Sequence, residues 1–197
     1  MAVLPPVLLT PPSAALDHYL DATARCFLRY GVRRTSVQDV AQELGVNRTT
    51  VYRQVGTVDQ QAMLLLVRDA HRLLAALPAK VRRPVGPGTV IELMAAVVRR
   101  AREHPVLAKV LADEPDLVGT YVTRDSAALI ELVTGMLRPM LEGAMAGGAI
   151  ARRDPVVLAE WLVRITVSLI LTPPPVELEE FLAQILLPAL TPTGAGT

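Results

Sequence analysis

Proline and glycine are distributed along this chain so as to leave it only short runs of regular structure, and every run between them has helical periodicity. There are 16 prolines and 12 glycines in 197 residues. A proline removes a backbone donor and clashes with the preceding turn, and a glycine readily takes the left-handed conformation that ends a helix. Between these stops apolar residues recur three and four positions apart, and no strand-like alternation persists. Leu16, Tyr19, Leu20, Thr23, Ala24, Phe27 and Leu28 form one stripe of a helix capped by Ser13 and stopped at Gly31. The same reading predicts helices over 37–44, 48–54, 57–77, 89–104, 105–113, 123–146, 155–171 and 176–190. Pro115 is read as closing the sixth segment, and Pro139, four residues after Gly135, as kinking the seventh. Aromatics are only 4% of the chain, so aliphatic side chains and alanine must fill the core. The expected fold is all-α with about nine helices.

A hydrophobic content of 51% with 20% charged residues excludes bulk disorder. Residues 1–12 are expected to be a disordered arm and 191–197 a disordered tail. The apolar opening MAVLPPVLLTPPS has no basic start and is broken by prolines, so a secretory signal is not expected. The most apolar later stretch, Trp161–Leu171, carries Arg164 and ends at three prolines, too short a run to span a membrane. One cysteine, Cys26, permits no internal disulfide and fits a reducing, cytoplasmic setting. No Ser/His/Asp or Cys/His arrangement, phosphate loop or metal-ligand spacing is evident. An enzyme is not expected, and neither is a metal or other cofactor.

The informative stretch is TSVQDVAQELGVNRTTVYRQV, residues 35–55. Val37, Val40, Ala41 and Leu44 give one face of a short helix that Thr35 or Ser36 caps. Gly45 suits a tight turn, Val46 is expected to plug it, and Asn47 caps a second helix whose Val51 faces the first. This is a helix-turn-helix pattern, whose second helix can enter a major groove. Arg48, Thr49, Tyr52 and Arg53 lie on its outer face, as groups suited to base edges and phosphates. Six arginines lie between 25 and 53 against Asp39 and Glu43, a local excess of four positive charges in a chain of net charge +1. The positive charge is therefore local, as DNA contact requires. An ordinary helical hairpin would explain the turn but not the polar face.

Residues 13–65 resemble the DNA-binding domain of the TetR family of bacterial transcriptional regulators. The resemblance rests on Phe27, Tyr30-Gly31, Thr35-Ser36-Val37, Asp39-Val40-Ala41, Leu44-Gly45-Val46 and Thr50-Val51-Tyr52. It implies phosphate contacts from Thr35, Ser36, Asn47 and Tyr52, and base contacts from Arg48 and Thr49. The family's aromatic and lysine near the start of the fourth helix are Val55 and Val58 here, which removes one phosphate contact; Arg33 or Arg53 can replace it. The resemblance also implies a helix-turn-helix domain at 13–56 and a C-terminal bundle of about six helices at 57–190 for ligand binding and dimerisation.

The implied partners are double-stranded operator DNA, a second copy of the chain and a hydrophobic small-molecule effector. Dimer contacts are expected from Leu158, Leu162, Ile165, Leu169, Leu178, Phe181, Leu182 and Ile185 on the last two helices, whose apolar faces are wider than one core needs. An effector pocket is expected among Met63, Leu66, His71, Met94, Val98, Leu111, Leu129, Val133, Met136, Leu137 and Trp161. The reading is a ligand-responsive homodimeric repressor acting on a palindromic operator. The alternative is an effector-independent dimeric DNA-binding protein with a purely structural C-terminal domain.

Overall fold

A computed structural model describes residues 10–76, 85–124 and 126–192. Most of the expected arm and tail, and the stretch 77–84, lie outside the described residues, as does the side chain of Leu129. Among the described residues the structure is helical without strands. A 3-10 turn (Ala14–Leu16) leads into α1 (Asp17–Tyr30), α2 (Val37–Leu44), α3 (Arg48–Val55) and α4 (Val58–Ala76). There follow α5 (Pro87–Arg102), α6 (Pro105–Asp113), α7 (Pro115–Arg124), α8 (Ser126–Ala146), α9 (Pro155–Leu171) and α10 (Leu178–Leu190). No described helix is long and apolar enough to cross a membrane.

The helix over 115–124 was not expected. Pro115 was read as a stop, but proline also suits the first turn of a helix, where its missing N–H has no partner to lose. Pro105 and Pro155 occupy the same first-turn position. Pro139 lies inside α8, which remains helical on both sides of it.

The chain forms two compact units, dividing at 73/74, 102/103 and 129/130. In the first unit Val106, Val110 and Leu117, from α6 and α7, lie against a core of Leu20, Cys26, Phe27, Val40, Ala41, Val51 and Val55. The helices that carry the turn thus share one core with α4, α6 and α7. Two buried polar side chains in this unit satisfy each other. The Thr23 hydroxyl lies 2.8 Å from Gln61 Oε1, and Gln61 Nε2 donates to the Gly56 carbonyl at 3.0 Å.

The second unit is an aliphatic core. Val90, Met94 and Val98 of α5 meet Leu141 of α8, Leu162 and Leu169 of α9, and Leu182, Leu186 and Leu190 of α10. Met94 and Val98, expected to line a pocket, are core residues of this unit. Leu162, Leu169 and Leu182, expected on a dimer face, are buried within their own unit. The reason is that α5 packs on both α9 and α10 and covers one side of each.

Candidate nucleic-acid interface

The reading head begins at Ser36, whose hydroxyl accepts a hydrogen bond from the Asp39 amide while the Asp39 carboxylate accepts one from the Ser36 amide at 2.7 Å. This reciprocal cap satisfies the first amides of α2. Val37, Val40 and Ala41 then turn inward. Gly45 ends α2 at φ +67, a left-handed conformation that favours glycine. The Asn47 side chain accepts from the Thr49 amide at 2.9 Å and starts α3. Val51 is fully buried and Val55 nearly so, while Arg48, Thr49, Tyr52 and Arg53 all stand in solvent. Tyr52 is 55% exposed, so its phenol is not core packing.

Three expectations need correction. Thr35 cannot offer its hydroxyl to a phosphate as placed: it is buried and donates to the Gly31 carbonyl at 2.6 Å. Ser36, not Thr35, is the cap. Val46 does not plug the turn: its side chain is exposed, and it is its backbone N–H that ties the turn to α2, donating to the Ala41 carbonyl at 3.0 Å. The charge count also divides. Arg25 and Arg29 both pair with Glu43, at 2.6 and 3.3 Å, which fastens α1 to α2. The Arg25 hydrogen bond, with the two guanidinium charges, holds the Glu43 carboxyl below its usual range. Arg33, Arg48 and Arg53 are exposed and enter none of the ion pairs among the described residues.

Helix α4 follows α3 through Gly56 and Thr57 and is tied down by charge. The buried Arg68 guanidinium lies 2.7 Å from Asp21 and 2.8 Å from Asp69, while Arg72 reaches Asp17 at 2.8 Å. His104 caps α6, Nδ1 accepting from the Leu107 amide at 3.4 Å, and its Nε2 lies 3.2 Å from Asp69. Sequence reasoning missed this network because its members come from three helices far apart in the chain.

The expected effector-pocket residues are distributed. Met63, His71 and Leu111 in the first unit and Val133 and Leu137 in the second are half-buried, whereas Leu66 and Met136 are exposed. Trp161 belongs elsewhere than expected: it lines an apolar groove of about 160 Å³ with Ile165, Phe181, Leu182, Ile185 and Leu186. His71 Nε2 is buried without a hydrogen-bond partner among the described residues.

Residues 20–54 match the profile of bacterial regulatory proteins of the tetR family, and residues 88–190 match that of the bacterial tetracyclin repressor C-terminal domain. The chain belongs to the TetR family. It is a DNA-binding transcriptional regulator and not an enzyme. An uncharacterised HTH-type transcriptional regulator of Mycobacterium tuberculosis (strain H37Rv) is 24% identical over 92% of this chain and 88% of its own length. The regulator AlkX of the same strain is 26% identical over 80% of this chain and 75% of its own. The same fold is found in the TetR-family repressor AlkX of Dietzia sp., implicated in biodegradation of n-alkanes. That structure matches with a TM-score of 0.65 and 22% identity over 88% of this chain and 98% of its own. The R. erythropolis transcriptional repressor QsdR, of the TetR family, matches with a TM-score of 0.63 and 21% identity, over 93% of this chain and all of its own.

The family's reading head is held here by carboxylates, which sets its acid sensitivity. Burial alone would raise the Asp69 pKa, but hydrogen bonds from His104 and Arg68 outweigh it and leave the group below the usual carboxylate range. Asp39 is lowered by hydrogen bonds from the Ser36 hydroxyl and amide. A depressed folded pKa contributes stability that is present above the ordinary aspartate value, about 3.9, and is lost as pH falls through the folded value. Thermal midpoints should therefore fall as pH drops below about 4, and less steeply in Asp69→Asn, which is already weaker at neutral pH. Equal acid slopes in the two proteins would show that Asp69 does not contribute.

Proposed function

We propose that this regulator is a cytoplasmic homodimeric repressor that binds a palindromic operator through α3 and is released by an apolar small molecule. The observation that carries the reading is the outward face of α3, on which Arg48, Thr49, Tyr52 and Arg53 stand free of the core while Val51 and Val55 anchor the other side. Arg48 and Thr49 read base edges. Asn47, Tyr52, Arg33 and Arg53 hold phosphates, and Ser36, exposed where Thr35 is buried, joins them by exchanging its 2.7 Å hydroxyl bond to Asp39 for one to phosphate. Each base-edge contact contributes roughly 1–3 kcal/mol of discrimination. Arg48→Ala should relax sequence preference, while Tyr52→Phe should weaken binding to all duplexes alike. Fluorescence anisotropy against a duplex selected by the wild-type protein from a random library measures both; an Arg48→Ala, Thr49→Ala double variant of unchanged affinity would refute the assignment.

Dimerisation is supported by the exposed apolar side chains of α9 and α10. Val157, Trp161 and Ile185 are 64%, 40% and 57% exposed, the last two beside the groove, with Leu158, Ile165, Leu178 and Phe181 half-buried nearby. Apolar surface of this kind on adjacent helices suits an isologous contact with a second copy. Sedimentation should give a dimer for the wild type and a monomer for Trp161→Glu or Ile185→Glu; a wild-type monomer at micromolar concentration would exclude the dimer.

The effector reading is supported by His71, on the helix that follows the reading head, whose buried Nε2 lacks a hydrogen-bond partner among the described residues. An apolar molecule with one hydrogen-bonding group would satisfy that nitrogen, and with Met63 alongside would bear on α4. Repression is the role of the Dietzia AlkX and R. erythropolis QsdR proteins, which share this fold. A thermal-shift screen of fatty acids, alcohols and steroids should yield a stabilising compound that releases DNA, and His71→Phe should weaken it. Stabilisation only by polyanions would overturn the apolar assignment.

A further inference from the structure

We propose that Glu114 is a positioning residue for operator binding: from the α6–α7 junction its carboxylate sets the loop that delivers the N-terminus of α2 to DNA. The geometry starts at Gly31. With φ +88 and ψ 161 it ends α1 and turns the next two amides to one side. Consecutive N–H groups aimed together form an anion cradle. Glu114 fills it, Oε2 accepting from the Val32 amide at 2.9 Å and Oε1 from the Arg33 amide at 3.1 Å, across 82 and 81 positions of sequence. The approach is close enough that a Cβ on Gly31 would lie 2.9 Å from Oε1.

The rest of the loop is already rigid. The Gly31 amide donates to the Phe27 carbonyl at 2.9 Å, the Thr35 hydroxyl to the Gly31 carbonyl at 2.6 Å, and the Thr35 amide to the Val32 carbonyl at 3.2 Å. Ser36 and its cap follow at once. A shift at residues 32 and 33 is therefore passed to the start of α2 instead of being absorbed. The other end of α6 is bonded too, His104 capping it and contacting Asp69 of α4. Nine hydrogen-bonded residues make a stiff strut about 14 Å long, so α6 links α4 to the α1–α2 loop through a polar contact at each end. The carboxylate has a second consequence. Exposed Arg33 and Arg34 flank the cradle, and without Glu114 a phosphate could occupy those amides in the wrong register.

The test compares wild type, Glu114→Ala and Glu114→Gln on two duplexes, one selected by the wild-type protein from a random library and one unrelated. Amide exchange at Val32 and Arg33 is followed in parallel. Loss of two charge-assisted hydrogen bonds should lower affinity of the alanine variant for the selected duplex roughly tenfold, with affinity for the unrelated duplex unchanged or higher. Exchange at both amides should accelerate. Glu114→Gln keeps one acceptor and should fall between the two, although both variants remove the same charge. Equal loss on both duplexes would mean only less folded protein and would overturn the proposal, as would wild-type affinity in both variants. If the alanine variant does not fold, the glutamine variant is judged by the same criteria. A wild-type protein that selects no duplex at all would refute the DNA reading itself, and the proposal with it.

Discussion

Val51 and Val55 are removed from water against Leu20, Phe27, Val40 and Ala41, and this burial fixes the rotation of α3 about its axis. An isolated helix of eight residues is not stable in water, so α3 exists because one side of it is packed. Both valines lie on the same face, four positions apart, which leaves Thr49, Tyr52 and Arg53 turned away from the core, while Arg48 is exposed as the first residue of the helix. Ala41 lets α2 approach, since a larger side chain where two short helices meet would push them apart. The polar reading face is thus a consequence of apolar packing, and a substitution at Val51 would move every group proposed to face bases without touching one.

Electrostatics does a different job in this domain from the one the sequence count suggests. Two of the six arginines between 25 and 53 are spent on Glu43, and that clamp holds α1 against α2. The positive charge left for DNA is carried by exposed residues of the loop and α3. Such exposed ion pairs contribute little stability on their own. Their value here lies in register: Glu43 can satisfy Arg25 and Arg29 together only if α2 is seated correctly on α1.

Much of the fold was legible because helix signals are local. Ser36, Gly45 and Asn47 announce the cap, the turn and the next cap within a dozen residues, and α2 and α3 lie where those residues place them. Pro115 misled because proline is common just after one helix and at the first turn of another. Thr35 and Ser36 could not be ranked as caps from type alone; burial of the Thr35 hydroxyl against Gly31 decides between them. Glu114 carried no signal at all. It is one acid between Asp113 and Pro115, and its partners are backbone amides, which have no sequence identity.

The last two helices show a limit of another kind. Helix α9 is apolar nearly all round, so its pattern cannot say which stripe meets its own unit and which is left for something else. The structure separates them by burial: Leu162 and Leu169 of α9 and Leu182 and Leu186 of α10 are out of water in a core shared with α5, while Val156, Val157, Trp161, Ile185 and Leu187 stay exposed. Leu186 and Leu190 of the inward set are almost wholly out of water. The outward set carries the cost of exposed aromatic and aliphatic surface. Selection for a folded monomer would favour polar side chains at those positions, and their apolar character is what supports the proposed contact with a second copy.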